Sequence, residues 1–270
     1  MITTATARTA PGLRLYAVGD LHGDAGALER HLTAIRRDLA RRPAEDWRLV
    51  FLGDYIDRGP DAFAVLDRLS RLGPEWRAYC LAGNHEHCLL DFLGDADAPS
   101  FYPWLEDGGI ATLCSYGIDA TYPLDFPDAA SRRAVRAALA EAMPAAHAGF
   151  LAGLAHGARF GDYFFAHAGI RPGTPIANQN LRDLIWAPGF LEHTAPHEAV
   201  IVHGHSPVAT IEVHANRIAV DTGAALGPSC LVLEEDLWLE LTVDGPYLLA
   251  AHGQPGAEAA LLPLLPAQAA

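Results

Sequence analysis

The chain has 270 residues, half of them hydrophobic, enough for one large domain with a well-buried core. Its 33 acidic against 19 basic residues give a formal charge of −14, which argues against a nucleic-acid backbone or an anionic membrane as partner. An anionic small substrate is not excluded, because bound divalent metals reverse the sign of the field inside a cleft.

The opening residues, MITTATARTAPG, lack the apolar core of a signal peptide, and no run reaches the ~18 apolar residues of a membrane span. Cys80, Cys88, Cys114 and Cys230 show no paired spacing, so they are expected to be buried apolar residues of a reducing, cytoplasmic protein. Residues 1–12 are expected to be a flexible tail, 13–250 a single domain, and the Ala/Pro/Leu-rich stretch 251–270 a second tail.

From residue 13 one pattern repeats three times: apolar strand, short polar loop, amphipathic helix. LRLYAVG leads through DLHGD into a helix with Leu28, Leu32, Ile35 and Leu39 on one face, and Asp24 is its expected N-cap. WRLVFLG leads through DYIDRGP into a helix with Phe63, Leu66, Leu69 and Leu72 inward and Pro60 near its first turn. WRAYCLAG leads through NHE into HCLLDFL. Residues 95–157 change character and read as a helical insertion flanking the cleft, with Ser131 opening one helix and Pro144 another. Strand signals then return in RFGDYFFAH, AVIVHGH, RIAVDTGA and the hairpin-like CLVLEEDLWLELTV. Apolar strands alternating with helices predict an α/β protein, in which ligands gather at the carboxyl ends of the strands.

Five clusters of metal-ligand residue types each follow an apolar strand: GDLHG (19–23), GDYIDRG (53–59), GNHE (83–86), HAG (167–169) and GHSP (204–207). Any one has an ordinary reading as a turn or a satisfied polar residue. Five in the same topological place would be costly without a cation to compensate the unpaired carboxylates and imidazoles. Aspartate, histidine and an asparagine carbonyl without thiolate suit manganese, iron or zinc. So many donors suggest two ions sharing a carboxylate, with Asp54, after the middle strand, as the bridge. Arg58 beside two cations points to an anion between them, phosphate or carboxylate. Asp57 is then free to pair with His85, a candidate general acid. His31, His87, His193, His197 and His214 belong to no motif and read as packing or solvated residues. Asp221 in VDTGA is a candidate support for the metal ligands.

These five motifs, in order, resemble the signature of the bacterial and phage (lambda-like) branch of phosphoprotein phosphatases within the calcineurin-like metallophosphoesterases. The resemblance covers residues 13–235, and WLEDGG (104–109), DLIW (183–186) and VDTGA (220–224) fit it as well. It implies a central β-sandwich of mixed sheets flanked by helices. It also implies that Asp20 and His22 bind one metal, Asp54 bridges, and Asn84, His167 and His205 bind the second, His203 lining the site instead. Arg58 would hold phosphate with Asn84, His85 would protonate the leaving oxygen, and Asp57 would orient His85.

The activity implied is hydrolysis of phosphomonoesters by direct attack of a metal-bridging hydroxide, with two divalent ions, manganese first among them, as cofactor. The substrate would be a phosphorylated protein or a small phosphoester, and the favoured reading is a protein serine/threonine phosphatase. The alternatives are a symmetrical dinucleoside tetraphosphate hydrolase and a non-catalytic phosphoprotein-binding module. Asp57 and Glu86 favour the phosphatase, since the hydrolase relatives tend to replace both. One departure stands out: where the family supplies a second phosphate-binding arginine, this chain has Pro188, leaving Arg171 or Arg182 as substitutes.

Overall fold

The computed structural model describes residues 1–119, 128–223 and 227–251. In the first sheet β1 (Leu13–Val18), β2 (Asp46–Phe51) and β3 (Ala78–Cys80) run parallel. Three antiparallel strands, β9 (Cys230–Glu234), β10 (Leu237–Thr242) and β11 (Gly245–Ala251), extend it in the order β11-β10-β9-β1-β2-β3. The second sheet holds β4 (Ala158–Phe160), β5 (Tyr163–Phe165), β6 (Val200–His203), β7 (Glu212–Val213) and β8 (Arg217–Ala219), in the order β4-β5-β6-β8-β7. Here β5, β6 and β8 are parallel, while β4 and β7 are antiparallel edges. Both sheets are mixed, as the resemblance implies.

Side-chain alternation explains why the two sheets stack. Leu15 and Ala17 of β1, with Val50 and Leu52, point inward against Tyr163, Phe165, Val200 and Val202 of the second sheet. Their neighbours Tyr16, Val18, Leu49 and Phe51 point outward under the helices α1 (Ala25–Arg41) and α2 (Ala62–Ser70). The predicted helix face holds: Leu28, Leu32 and Ile35 are buried and Leu39 packs beside them. Asp24 caps α1, its carboxylate accepting the Ala27 N–H at 2.6 Å. On the other outer face, Phe164, Ala166 and Ile201 pack against Leu184 of α8 (Leu181–Trp186) and Phe190.

Several local expectations shift. Pro60 lies just before α2, whose N-cap is Asp61, and Leu72 falls beyond its last turn while still packing on the same core. Asn84, His85 and Glu86 do not form a loop before α3 (Asn84–Gly94) but are its first turn. Residues 95–157 contain α4 (Phe101–Trp104), α5 (Ile110–Ser115), α6 (Ala129–Ala142) and α7 (Ala145–Ala152). Phe101, Leu113, Leu139 and Leu151 join the core under α1 and α2. Asp128, not Ser131, caps α6, accepting the Ser131 N–H at 2.8 Å.

The N-terminal residues make defined contacts with the second half of the chain. The Ile2 N–H donates to His197 O at 2.7 Å, the Thr4 N–H to Ala215 O at 2.9 Å, and Ala7 is fully buried between the sheets. Small residues fit against the second sheet, while threonine hydroxyls and backbone groups find partners there. Nor are all the cysteines buried, since Cys114 is exposed and Cys80 and Cys88 are half-buried. The expected tail at 251–270 lies outside the described residues after Ala251. Among the described residues no helix is long and apolar enough to cross a membrane.

Candidate metal centre

All five motifs meet at one edge of the sandwich, each carried there by the strand before it. The turns that deliver them are tight. His22, Asp54, Asp57, Arg58 and His205 all have left-handed φ, between 40° and 69°, a conformation that non-glycine side chains resist and that clusters at functional sites. Gly83 has no room for a side chain, because a Cβ there would lie 2.1 Å from Asp54 Oδ1. The Asp54 carbonyl accepts the N–H groups of Leu21 and His22 at 3.0 and 2.8 Å, tying the first motif to the second.

Two donor sets result, and Asp54 belongs to both. The ligand atoms of His22, Asp54 and His85 lie within 4.8 Å of one another, as do those of Asp54, His167 and His205. Backbone contacts fix the imidazoles in useful tautomers. His22 Nδ1 donates to Ile56 O at 3.1 Å and His167 Nδ1 to Leu52 O at 2.9 Å. The Nε2 atoms of His22 and His167 then face the Asp54 carboxylate, at 3.8 Å from Oδ2 and 3.4 Å from Oδ1. His167 Nε2 also meets Asn84 Oδ1 at 2.9 Å. A carboxylate, an amide carbonyl and an imidazole nitrogen converging on one point call for positive charge among them, which a bound cation or a proton on His167 supplies.

Asp20 supplies a further sign of a cation. Its Oδ2 accepts the His205 N–H at 2.9 Å, but Oδ1 is buried with no hydrogen-bond partner among the described residues. Burial raises the Asp20 carboxyl well above its usual range, helped by the Asp54 charge, so holding it ionised calls for a nearby positive charge. Burial pulls His22 and His205 down to about 4, keeping both neutral. In His167 the same pull is outweighed by Asp54, which raises it to about 10. The predicted ligands Asp20, His22, Asp54, Asn84, His167 and His205 are thus brought together. His85, expected only as an acid, also lies within the His22–Asp54 set.

Beside the donor sets lies a proton-handling pair. His85 Nδ1 contacts Asp57 Oδ2 at 2.6 Å, and the fully buried Asp57 is held further by Trp104 Nε1–H at 2.8 Å and by the Thr112 hydroxyl. Burial lowers the His85 pKa, but Asp54 and the Asp57 hydrogen bond overcome it and carry it up to about 9. Arg58 Nη1 lies 2.9 Å from His22 Nε2, and Nη2 bonds Asp107 Oδ1 at 2.8 Å.

The two arginines considered as substitutes for a second phosphate clamp are placed differently. Arg171 pairs with Asp183 at 3.1 Å, and Arg182 is exposed on α8. From the same helix Trp186 reaches the centre, its half-exposed ring edge-on to His205 at 5.8 Å. His203 is buried edge-on against Phe190, and Asp221 accepts the Gly223 N–H at 2.7 Å.

Sequence reasoning, which took Trp104 as packing or as a leaving-group contact, foresaw none of the hydrogen bonds that Glu86, Trp104, Thr112 and Asp107 make at the site. Glu86 is fully buried and accepts the N–H groups of Asp54, Tyr55 and Gly83 at 3.0, 2.7 and 3.0 Å. A glutamate three residues after a glycine at a helix start is a capping signal that could have flagged it. Nothing local announces the other three, which come from 47 or more residues away from the groups they hold.

The sequence model of the family described as calcineurin-like phosphoesterase matches residues 13–239. A symmetrical bis(5'-nucleosyl)-tetraphosphatase of Methylococcus capsulatus is 41% identical over 78 residues, 29% of this chain and 26% of that protein. Serine/threonine-protein phosphatase 1 of Salmonella typhimurium is 36% identical over 95 residues, 35% of this chain and 38% of that protein. The matched segments thus span between a quarter and two-fifths of these relatives' length. A solved cold-active protein-tyrosine phosphatase of a psychrophilic Shewanella superposes with a TM-score of 0.57 at 16% identity, covering 90% of this chain and 83% of that one; at that identity the likeness concerns the fold.

Proposed function

The chain belongs to the calcineurin-like phosphoesterases, and we propose that within this family it is a metal-dependent protein serine/threonine phosphatase. The family implies a dinuclear divalent metal centre, and the residues present fit one. Asp54 would serve both ions, Asp20 and His22 one of them, and Asn84, His167 and His205 the other. An oxygen and nitrogen donor set without thiolate suits manganese, with iron or zinc as alternatives. When bound, such a pair supplies Lewis-acid activation of water and neutralises charge at phosphorus.

The observation that carries the reading is the buried His85–Asp57 pair. A seryl or threonyl alkoxide is a poor leaving group and needs a proton as it departs. Against the pull of burial, Asp54 and the Asp57 hydrogen bond raise the His85 pKa, and Asp57, fixed by Trp104 and Thr112, holds the ring in one orientation. Nucleoside diphosphates leave readily as anions and need such an acid far less. Arg58 would bind a non-bridging phosphate oxygen. Neither Arg171, in its ion pair, nor Arg182 is assigned a second contact.

A symmetrical dinucleoside tetraphosphate hydrolase is the second reading, favoured by the 41% identity to the Methylococcus protein over 78 residues. Phosphate release from phosphoserine and phosphothreonine peptides, beside cleavage of a dinucleoside tetraphosphate, decides between them. The protein is stripped with chelator and assayed with and without manganese. Manganese-dependent peptide turnover supports the phosphatase; cleavage of the nucleotide alone installs the second reading. Metal binding without turnover of either would leave a phosphoprotein-binding module.

A further inference from the structure

Asp107 stands where the proposed chemistry needs the substrate. Its carboxylate spans the two groups assigned to phosphate, Oδ1 lying 2.8 Å from Arg58 Nη2 and Oδ2 3.2 Å from His85 Nε2. The backbone beneath it cannot drift away. Between α4 and α5 the chain turns through Gly108 at φ 110°, whose carbonyl accepts the Arg58 N–H at 3.2 Å. A Cβ at Gly108 would strike the Arg58 nitrogen at 2.6 Å. Three residues before Asp107, Trp104 is buried and bonded to Asp57. The Asp107 side chain itself is half-exposed to solvent.

We propose that Asp107 is a specificity-determining residue: it fills the phosphate position in the resting site and, once displaced, remains at the mouth and selects substrates with a cationic group beside the phosphoester. A carboxylate and a phosphate oxygen compete for the same guanidinium, so the resident anion weakens phosphate binding. After rotation the anchored turn keeps the negative charge near the leaving group. A leaving group with a neighbouring Lys or Arg is then favoured, and one flanked by acidic residues or carrying further phosphates is penalised. This rests on the phosphatase reading and narrows its substrate class to basic phosphopeptides.

The test uses manganese-loaded wild type, Asp107→Asn and Asp107→Glu. It measures kcat and KM on phosphoserine peptides with basic or acidic flanks, and calorimetric affinity for inorganic phosphate and for the same peptides. One charge at an exposed site is worth roughly 1.5- to 5-fold. Asp107→Asn is expected to tighten phosphate by that factor and to shrink the basic-over-acidic preference in KM by a similar factor, with Asp107→Glu restoring both. Unchanged phosphate affinity overturns the occupied position, and an unchanged peptide ratio in KM and in binding overturns the selection. If no peptide is turned over the phosphatase reading falls, while phosphate and peptide affinities still decide the role of Asp107.

Discussion

Replacing Glu86 with glutamine tests whether one buried carboxylate builds the bridging turn. Glu86 Oε1 accepts the Tyr55 N–H at 2.7 Å and the Ile56 N–H at 3.4 Å, and Oε2 accepts those of Asp54 and Gly83, both at 3.0 Å. Glutamine is nearly isosteric but offers one oxygen and one NH2. Whichever way the amide lies, two backbone N–H groups face a donor in a site that excludes water. Each buried N–H left facing a donor costs about 1.5–3 kcal/mol, so Glu86→Gln should destabilise the metal-free protein by roughly 3–6 kcal/mol, a large part of the ~5–15 kcal/mol of a whole domain. In a protein of this size that lowers Tm by roughly 6–24 °C. Because Asp54 hangs from the same amides, manganese affinity should fall with it. Thermal unfolding without metal and a manganese titration read the two effects separately. A Tm within about 2 °C of wild type together with an unchanged titration would refute the idea that Glu86 holds the turn.

His85→Asn should retain both metals yet lose turnover of phosphoserine peptides by ~10²–10⁴; full rate on so poor a leaving group would disprove the acid assignment. Asp54→Asn should abolish metal binding and activity together, as seen by metal analysis after gel filtration. The pH dependence has a defined sign: the His85 pKa is raised from 6.5 to about 9, so the acid form is complete below 6.5 and is lost as pH climbs through 9. Bound cations oppose protonation, so the alkaline limb of kcat should fall at or below pH 9; Asp57→Asn should move it lower still, and an unmoved limb would contradict the pairing with Asp57.

The three strand-loop-helix units could be read along the chain because each is written within a short local stretch, the longest running from Leu13 to Arg41. An apolar run fixes the strand, and the ligands must then emerge at its carboxyl end. The same locality explains what stayed hidden. Trp104 and Thr112 support Asp57 from 47 and 55 positions away, and a tryptophan in an apolar stretch looks like core whether or not its indole N–H is employed. Arg171 follows the HAG motif closely enough to suggest phosphate binding, yet Asp183, capped into α8 through Asn180, claims it. The N-terminal residues carry no periodic signal, so their docking on the second sheet rests on contacts that only the assembled sheet creates. The overlap of His85 with the first donor set likewise comes from helical geometry: as the second residue of α3 it lies beside Asn84, not beyond it.

The crowding of left-handed residues at the centre bears on how metal would enter. Five of the eight non-glycine residues with such φ values among the described ones are His22, Asp54, Asp57, Arg58 and His205. At roughly 1 kcal/mol each, the surrounding scaffold holds several kcal/mol of unfavourable backbone geometry in place before any ion arrives. A cage assembled in this way does not wait for the ion to fold it. Uptake should therefore follow simple second-order kinetics, with a rate proportional to metal concentration and no slow concentration-independent phase, and release should be governed by ligand exchange instead of by opening of the domain.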